Sequence, residues 1–232
     1  MVSNGLRRLL EGNERHVRDT AADHFSGLRE GQDPDVVTVS CSDSRVPAEG
    51  AWDVAEAGEL FTSVNVGNQA WTDADGELVA NDAVGYAVDS LDVDDAVVLG
   101  HTGCGAVTAA YRAVSGEGGD ALPGVEQAIS RLVPYVEAAA EEGIYDEETE
   151  TETGEAVNRL VEYLVREQVK FLVESDAVPE DVTVSGFVYD FQRAYGDDDG
   201  AAYLVSVDGE TDGDALRERV PEEYEDRVRS LL

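Results

Sequence analysis

Lysine is almost missing from this chain. Of 16 basic residues only Lys170 is a lysine, and they face 51 acidic residues, for a formal net charge of −35. Such a balance supplies no cationic face able to displace counterions from phosphates, which excludes nucleic acid and anionic membrane surfaces as partners. No apolar run approaches the roughly 18 residues that mark a membrane span. The opening stretch, MVSNGLRRLLEGNERH, lacks a long apolar region and a small-residue cleavage site, so no signal peptide is expected. Cysteine occurs twice, as Cys41 and Cys104, too rarely for a disulfide framework. Without an export signal, that usage points to a reducing cytoplasm. Histidine occurs three times, as His16, His24 and His101.

What is present is a globular composition, 42% hydrophobic over 232 residues. That is enough for one domain, 1–232, with a full core. The acids run through every segment and do not form a tail. This spread resembles that of salt-adapted, haloarchaeal proteins, in which molar salt screens self-repulsion to within about 3 Å. The plainer alternative is an acidic, solvated surface.

Apolar periodicity predicts a helix over 3–24, capped by Ser3 or Asn4, with Leu6, Leu9, Leu10 and Val17 near one face. Strands are expected at 36–40, 59–67 and 95–100. Helical spacing runs over 78–91, a helix is expected to start near Gly103 to Gly105 and run to about Val114, and helices follow at about 124–142 and 154–176. Two more strands, at 181–190 and 201–208, read as a hairpin or adjacent pair, and the tail from 212 to 231 reads as helical. An acidic insertion, 143–154, interrupts the helices. Short apolar strands alternating with helices specify an α/β fold, a parallel-centred β-sheet flanked by helices. Sites in such sheets lie beyond the carboxyl ends of the strands.

Cys41 and His101 both stand where a strand ends. With Cys104 they form a set of two sulfurs and one nitrogen, which suits tetrahedral zinc with one position open. Glycines 100, 103 and 105 permit a tight path through His101 and Cys104. A helix starting beside Cys104 would favour its thiolate. Asp43, two residues from Arg45, could be gripped bidentately, kept ionised and aimed at a metal-bound oxygen. These short motifs leave alternatives. The cysteines could be buried apolar residues or a disulfide, Asp43 could close a structural zinc site, and Asp43–Arg45 could be a surface ion pair.

CSDSRVP at 41–47 with GHTGCGAV at 100–107 resembles the β-class carbonic anhydrases. The likeness extends through Phe61, NVGN at 65–68, YAVDSLDVDDAVVLGH at 86–101 and GFVYD at 186–190. It implies a zinc enzyme for reversible hydration of carbon dioxide to bicarbonate, acting through a zinc-bound hydroxide. It also implies an N-terminal helical arm, residues 1–30, and a homodimer or an assembly of dimers. By the same resemblance Cys41, His101 and Cys104 are the zinc ligands, and Asp43 and Arg45 are the catalytic dyad. Gln32, Phe61, Val66 and Tyr86 are the substrate-binding residues. Thr38 and Ser63 stand where a bicarbonate-inhibited subgroup carries tryptophan and arginine, so the plant-like subgroup without that switch is expected. Val64 departs from the family's usual arginine. Two thiolates cancel the charge of Zn²⁺, so the bound water should be less acidic than on three histidines, and activity should rise on the alkaline side. Related ligand sets also hydrolyse carbonyl sulfide or carbon disulfide. A non-catalytic zinc protein and a metal-free acidic interaction module are the remaining alternatives.

Overall fold

The computed structural model describes residues 3–54, 57–145 and 153–232. In chain order the elements are α1 (Asn4–Asp19), β1 (Val36–Cys41), α2 (Ala48–Ala51), β2 (Leu60–Asn65), β3 (Trp71–Ala74) and β4 (Glu77–Ala80). Next come α3 (Asp82–Ser90), β5 (Asp95–His101), α4 (Gly105–Val114), α5 (Pro123–Ser130), α6 (Val133–Glu141) and α7 (Thr153–Val173). The chain ends with β6 (Thr183–Asp190), β7 (Ala201–Val207), α8 (Gly213–Arg217) and a 3-10 turn, Glu222–Arg227.

Five strands form one sheet in the order β2-β1-β5-β6-β7. The first four are parallel, and β7 runs antiparallel to β6. The parallel-centred sheet expected from the sequence is therefore present, with an antiparallel strand at one edge. β1 and β5 are neighbours, pairing Ser40 with Leu99, so their carboxyl ends lie side by side. Val37, Val39 and Val98 point from these strands into the main core, where α3, α4 and α7 supply Val84, Val107, Leu160 and Val165. The opposite face carries a smaller cluster of Leu204, Val207, Leu216 and Val228. Helix α7 lies close on the sheet because β5 and β6 each present a glycine beneath it. A Cβ on Gly100 would meet Val165 Cγ2 at 2.6 Å, and one on Gly186 would meet Val165 Cγ1 at 2.7 Å.

Several boundaries differ from the sequence reading, each for a local reason. Helix α1 stops at Asp19, not near 24, because Thr20 turns extended and its hydroxyl donates back to the His16 carbonyl at 2.7 Å. His24 therefore lies outside the helix. Ser3 caps α1 as expected, accepting from Leu6 N at 3.2 Å. The second strand is shorter than 59–67, ending at Asn65 before the turn at Gly67 and Asn68, both with positive φ. The helical reading of 78–91 was wrong at its start, because 78–80 belong to β4. Asp75 and Gly76, both at positive φ, turn β3 into β4. Asn81 then caps α3, accepting from Val84 N at 2.9 Å. The helix expected over 124–142 breaks at Arg131 and Leu132, just ahead of Pro134, which cannot donate a backbone hydrogen bond. The tail is not one helix, because Pro221 separates α8 from the 3-10 turn. Most of the acidic insertion, 146–152, lies outside the described residues.

Candidate metal centre

Cys41 ends β1 and His101 ends β5, and Cys104 occupies the N-cap position of α4. The sheet therefore presents two of these side chains from adjacent strand ends, and a three-residue turn returns the third. Gly103 permits that turn at φ 64°, and a Cβ there would lie 2.6 Å from Gln192 Nε2. One potential ligand atom from each of the three residues lies within 4.8 Å of the others, and all three residues are buried. Cys41 and Cys104 are free thiols, which removes the disulfide alternative.

The donor set fits a zinc ion. The His101 Nδ1 proton is directed to the Thr102 carbonyl at 2.9 Å, which leaves Nε2 as the lone-pair nitrogen. That Nε2 is buried and has no hydrogen-bond partner. A buried imidazole nitrogen without a partner beside two buried sulfurs is the arrangement a tetrahedral cation satisfies. The sulfurs are prepared electrostatically. The Cys41 thiol is pushed down chiefly by its hydrogen bond with Cys104, against burial, and further by His101 and by the Gly67 N–H. The Cys104 thiol is pushed up by the same contact and by burial, although the Ala106 and Val107 amides at the start of α4 favour its thiolate. The expected help from the helix N-terminus is thus present but outweighed by the neighbouring sulfur.

Asp43 stands outside the three-residue group. Arg45 Nε donates to Asp43 Oδ1 at 2.9 Å and Nη2 donates to Oδ2 at 2.6 Å. The Arg45 backbone N–H adds a third hydrogen bond to Oδ1 at 3.0 Å, and Nη2 also reaches the Gly103 carbonyl at 3.3 Å. These hydrogen bonds hold the Asp43 carboxyl well below the usual carboxylate range. Both oxygens being engaged by arginine, Asp43 is poorly placed to close a structural site as a fourth ligand.

The four remaining residues singled out in the sequence are less tightly assembled. Phe61 on β2 and Tyr86 on α3 face each other with ring centroids 5.8 Å apart. Val66 is 41% exposed and Tyr86 49%. Gln32 is exposed in the irregular segment before β1. The single chain therefore does not enclose these side chains.

Sequence reasoning missed a supporting layer. Asp190, buried at the end of β6, accepts from Thr102 Oγ1 at 3.2 Å and from the backbone N–H of Gln192 and Tyr195 at 2.9 and 2.8 Å. Asn158 on α7 accepts the Gly103 N–H at 2.8 Å and donates to Gln192 Oε1 at 3.2 Å. The one available signal was Asp190 ending a strand beside the histidine strand; nothing local marks Asn158.

Comparison with known proteins agrees with this geometry. The carbonic anhydrase family model matches residues 36–195. Carbonic anhydrase 2 of Mycobacterium tuberculosis is 35% identical over 146 residues, which span 60% of this chain and 66% of that protein. A carbonic anhydrase of Emericella nidulans is 28% identical over 78% of this chain and 74% of its own length. Among solved structures, the β-carbonic anhydrase CafA of Aspergillus fumigatus superposes with a TM-score of 0.71 at 26% identity, covering 93% of this chain and 97% of that one. The fold and the buried sulfur–nitrogen group define a zinc-type α/β protein. The chain belongs to the carbonic anhydrase family, in its β class.

Proposed function

We propose that this chain is a zinc-dependent carbonic anhydrase interconverting carbon dioxide and bicarbonate. The observation that carries the reading is the buried Cys41–His101–Cys104 group, with its unpartnered His101 Nε2, beside the Asp43–Arg45 pair. Cys41, His101 and Cys104 would hold the zinc, which would supply a Lewis acid able to bring the pKa of water towards neutrality. Asp43 orients the attacking oxygen. Its Oδ2 accepts one hydrogen bond where Oδ1 accepts two, so Oδ2 keeps the freer lone pair for a proton on the substrate side. Its lowered pKa makes it a steady acceptor and not a proton store. Phe61, Val66 and Tyr86 are assigned to the apolar seat of carbon dioxide. The Gln32 amide is assigned to donate to the developing oxyanion.

The same surfaces support a homodimer. α1 has no buried residue, and it exposes Leu9 at 72% and Val17 at 66%. β2 is an edge strand whose Val64 is 56% exposed. A second copy over this edge would enclose Val66 and Tyr86 and complete the apolar seat. Asp43, held by Arg45, supports the plant-like subgroup, with a site open without bicarbonate control. Two free thiols support a reducing cytoplasm, and the −35 net charge supports a saline one. Among the described residues no helix is long and apolar enough to cross a membrane. We read residues 1–232 as one functional unit.

The test is stopped-flow hydration of carbon dioxide by zinc-loaded protein in molar KCl near pH 8.5, beside Asp43→Ala. Fast turnover in the parent, lowered about 10²-fold or more in the variant at equal zinc content, is the expected result. Absence of turnover in folded, zinc-replete parent would overturn the assignment, and carbonyl sulfide would be the next substrate tried.

A further inference from the structure

One aromatic ring touches both halves of the site. Phe191 follows β6, and its ring stacks on the His101 imidazole with centroids 5.8 Å apart and planes 25° from parallel. The Arg45 guanidinium carbon lies 4.5 Å from the centroid of the same ring. Nothing in the sequence motifs pointed to it. The backbone of this ring is fixed from beneath. Phe191 N–H donates to Thr102 Oγ1 at 3.2 Å, and Thr102 Oγ1 donates to the fully buried Asp190 at 3.2 Å. Asp190 in turn accepts the next loop amides, Gln192 and Tyr195. The residue that follows the histidine is thereby tied to the residue that carries the ring.

Arg45 needs such a support. Its side chain is 52% exposed, so the bidentate grip on Asp43 fixes one edge of the guanidinium and leaves its faces without enclosure except at the ring. A cation over a ring face within about 6 Å adds an attraction that depends on the ring's quadrupole and not on its bulk. We propose that Phe191 is a positioning residue, whose ring, itself stacked on His101, holds the Arg45 guanidinium and so fixes the plane in which Arg45 grips Asp43. The inference rests on the carbonic anhydrase reading for its kinetic consequence, but not for its geometry.

The experiment replaces Phe191 in the zinc-loaded full chain by Leu, by Tyr, and by phenylalanines carrying one, two and three ring fluorines. Fluorination drains the ring face at nearly constant shape, so a purely structural role would leave the fluorinated proteins unchanged. Phe191→Leu should lower kcat roughly fivefold, equal to about 1 kcal/mol at 1.36 kcal/mol per tenfold. KM and zinc content should hold, since the ring is outside the assigned carbon dioxide seat. Phe191→Tyr should keep the parental rate, and the fluorinated series should fall in steps towards the leucine value. The second readout needs no turnover. The Nε–H proton of Arg45, assigned by its loss in Arg45→Lys, should be shifted by the ring current and slow to exchange in the parent. It should exchange faster with each fluorine and in Phe191→Leu. Fluorinated proteins with parental kcat and parental Arg45 exchange would overturn the proposal. So would a leucine variant that loses zinc or stability while the Arg45 signal stays where it was. A parent without turnover would defeat the functional reading alone, and the Arg45 signal would still decide the role of the ring.

Discussion

The glycine one residue before His101 should resist replacement. In Gly100→Ala the new methyl would lie 2.6 Å from Val165 Cγ2 and 3.1 Å from Val161 Cγ1. Both valines are on α7 and are buried, at 0% and 2% exposure. A helical valine is confined almost entirely to one rotamer, so neither methyl can swing aside cheaply. Overpacking of this kind costs about 1–3 kcal/mol. Removing a glycine from a strand returns about 0.5–1 kcal/mol of unfolded-state entropy. The clash should win, leaving the variant about 1–2 kcal/mol less stable. Urea unfolding in molar KCl should then show a midpoint lower by about 0.5 M at a slope near 3 kcal/mol/M. Val165→Ala opens the space that the new methyl needs. The double variant should therefore be more stable than the sum of the two single losses, by at least about 0.5 kcal/mol. A Gly100→Ala protein as stable as its parent would refute the reasoning, as would strict additivity with Val165→Ala. The substitution should also shift His101 and weaken zinc retention, read by competition with a chelator.

Three further outcomes are expected. Carbon dioxide hydration should rise on the alkaline side of neutrality, because two thiolate ligands leave the metal less acidifying; a flat profile from about pH 6 to 9 would contradict this. Asp95 is held above the usual carboxylate range by burial and by Asp94, Asp208 and Asp35. Its folded pKa exceeds its unfolded one, so its charge opposes folding above that range and the cost is relieved as pH falls through it. Acidification from neutral pH into the carboxylate range should thus favour the parent relative to Asp95→Asn in melting temperature, and equal slopes would refute the assignment. Dialysis from molar to about 10 mM KCl lengthens the screening distance from about 3 to 30 Å and should unfold much of the protein, whereas full ellipticity and activity in dilute buffer would remove the case for saline adaptation.

Much of the fold was legible because its signals are local. The strands at 36–40 and 95–100 appeared as apolar runs, and a helix was expected to start near Gly103 to Gly105. The β3–β4 hairpin was misread as the start of a helix, because Leu78, Val79 and Ala80 match helical spacing as well as they match a short strand. The break at Arg131 and Leu132 hid inside a periodic run, although Pro134 was in view. Short edge elements carry too few residues for periodicity to separate the two periods.

The sequence alone supplied the candidate chemistry, with its alternatives still open. Two cysteines, one histidine at a strand end and an aspartate two residues from an arginine define a donor set and a carboxylate clamp, whatever their coordinates. Only the tertiary structure decided that these groups meet, because the adjacency of β1 and β5 is set by sheet order and not by any residue near Cys41 or His101. It also pushed the two thiols in opposite directions, since that depends on two sulfurs 63 positions apart in sequence sharing one buried space. The platform of Phe191 belongs to the same class. A ring that begins a loop is unremarkable in sequence, and it acquires a role only where folding brings Arg45 and His101 to it.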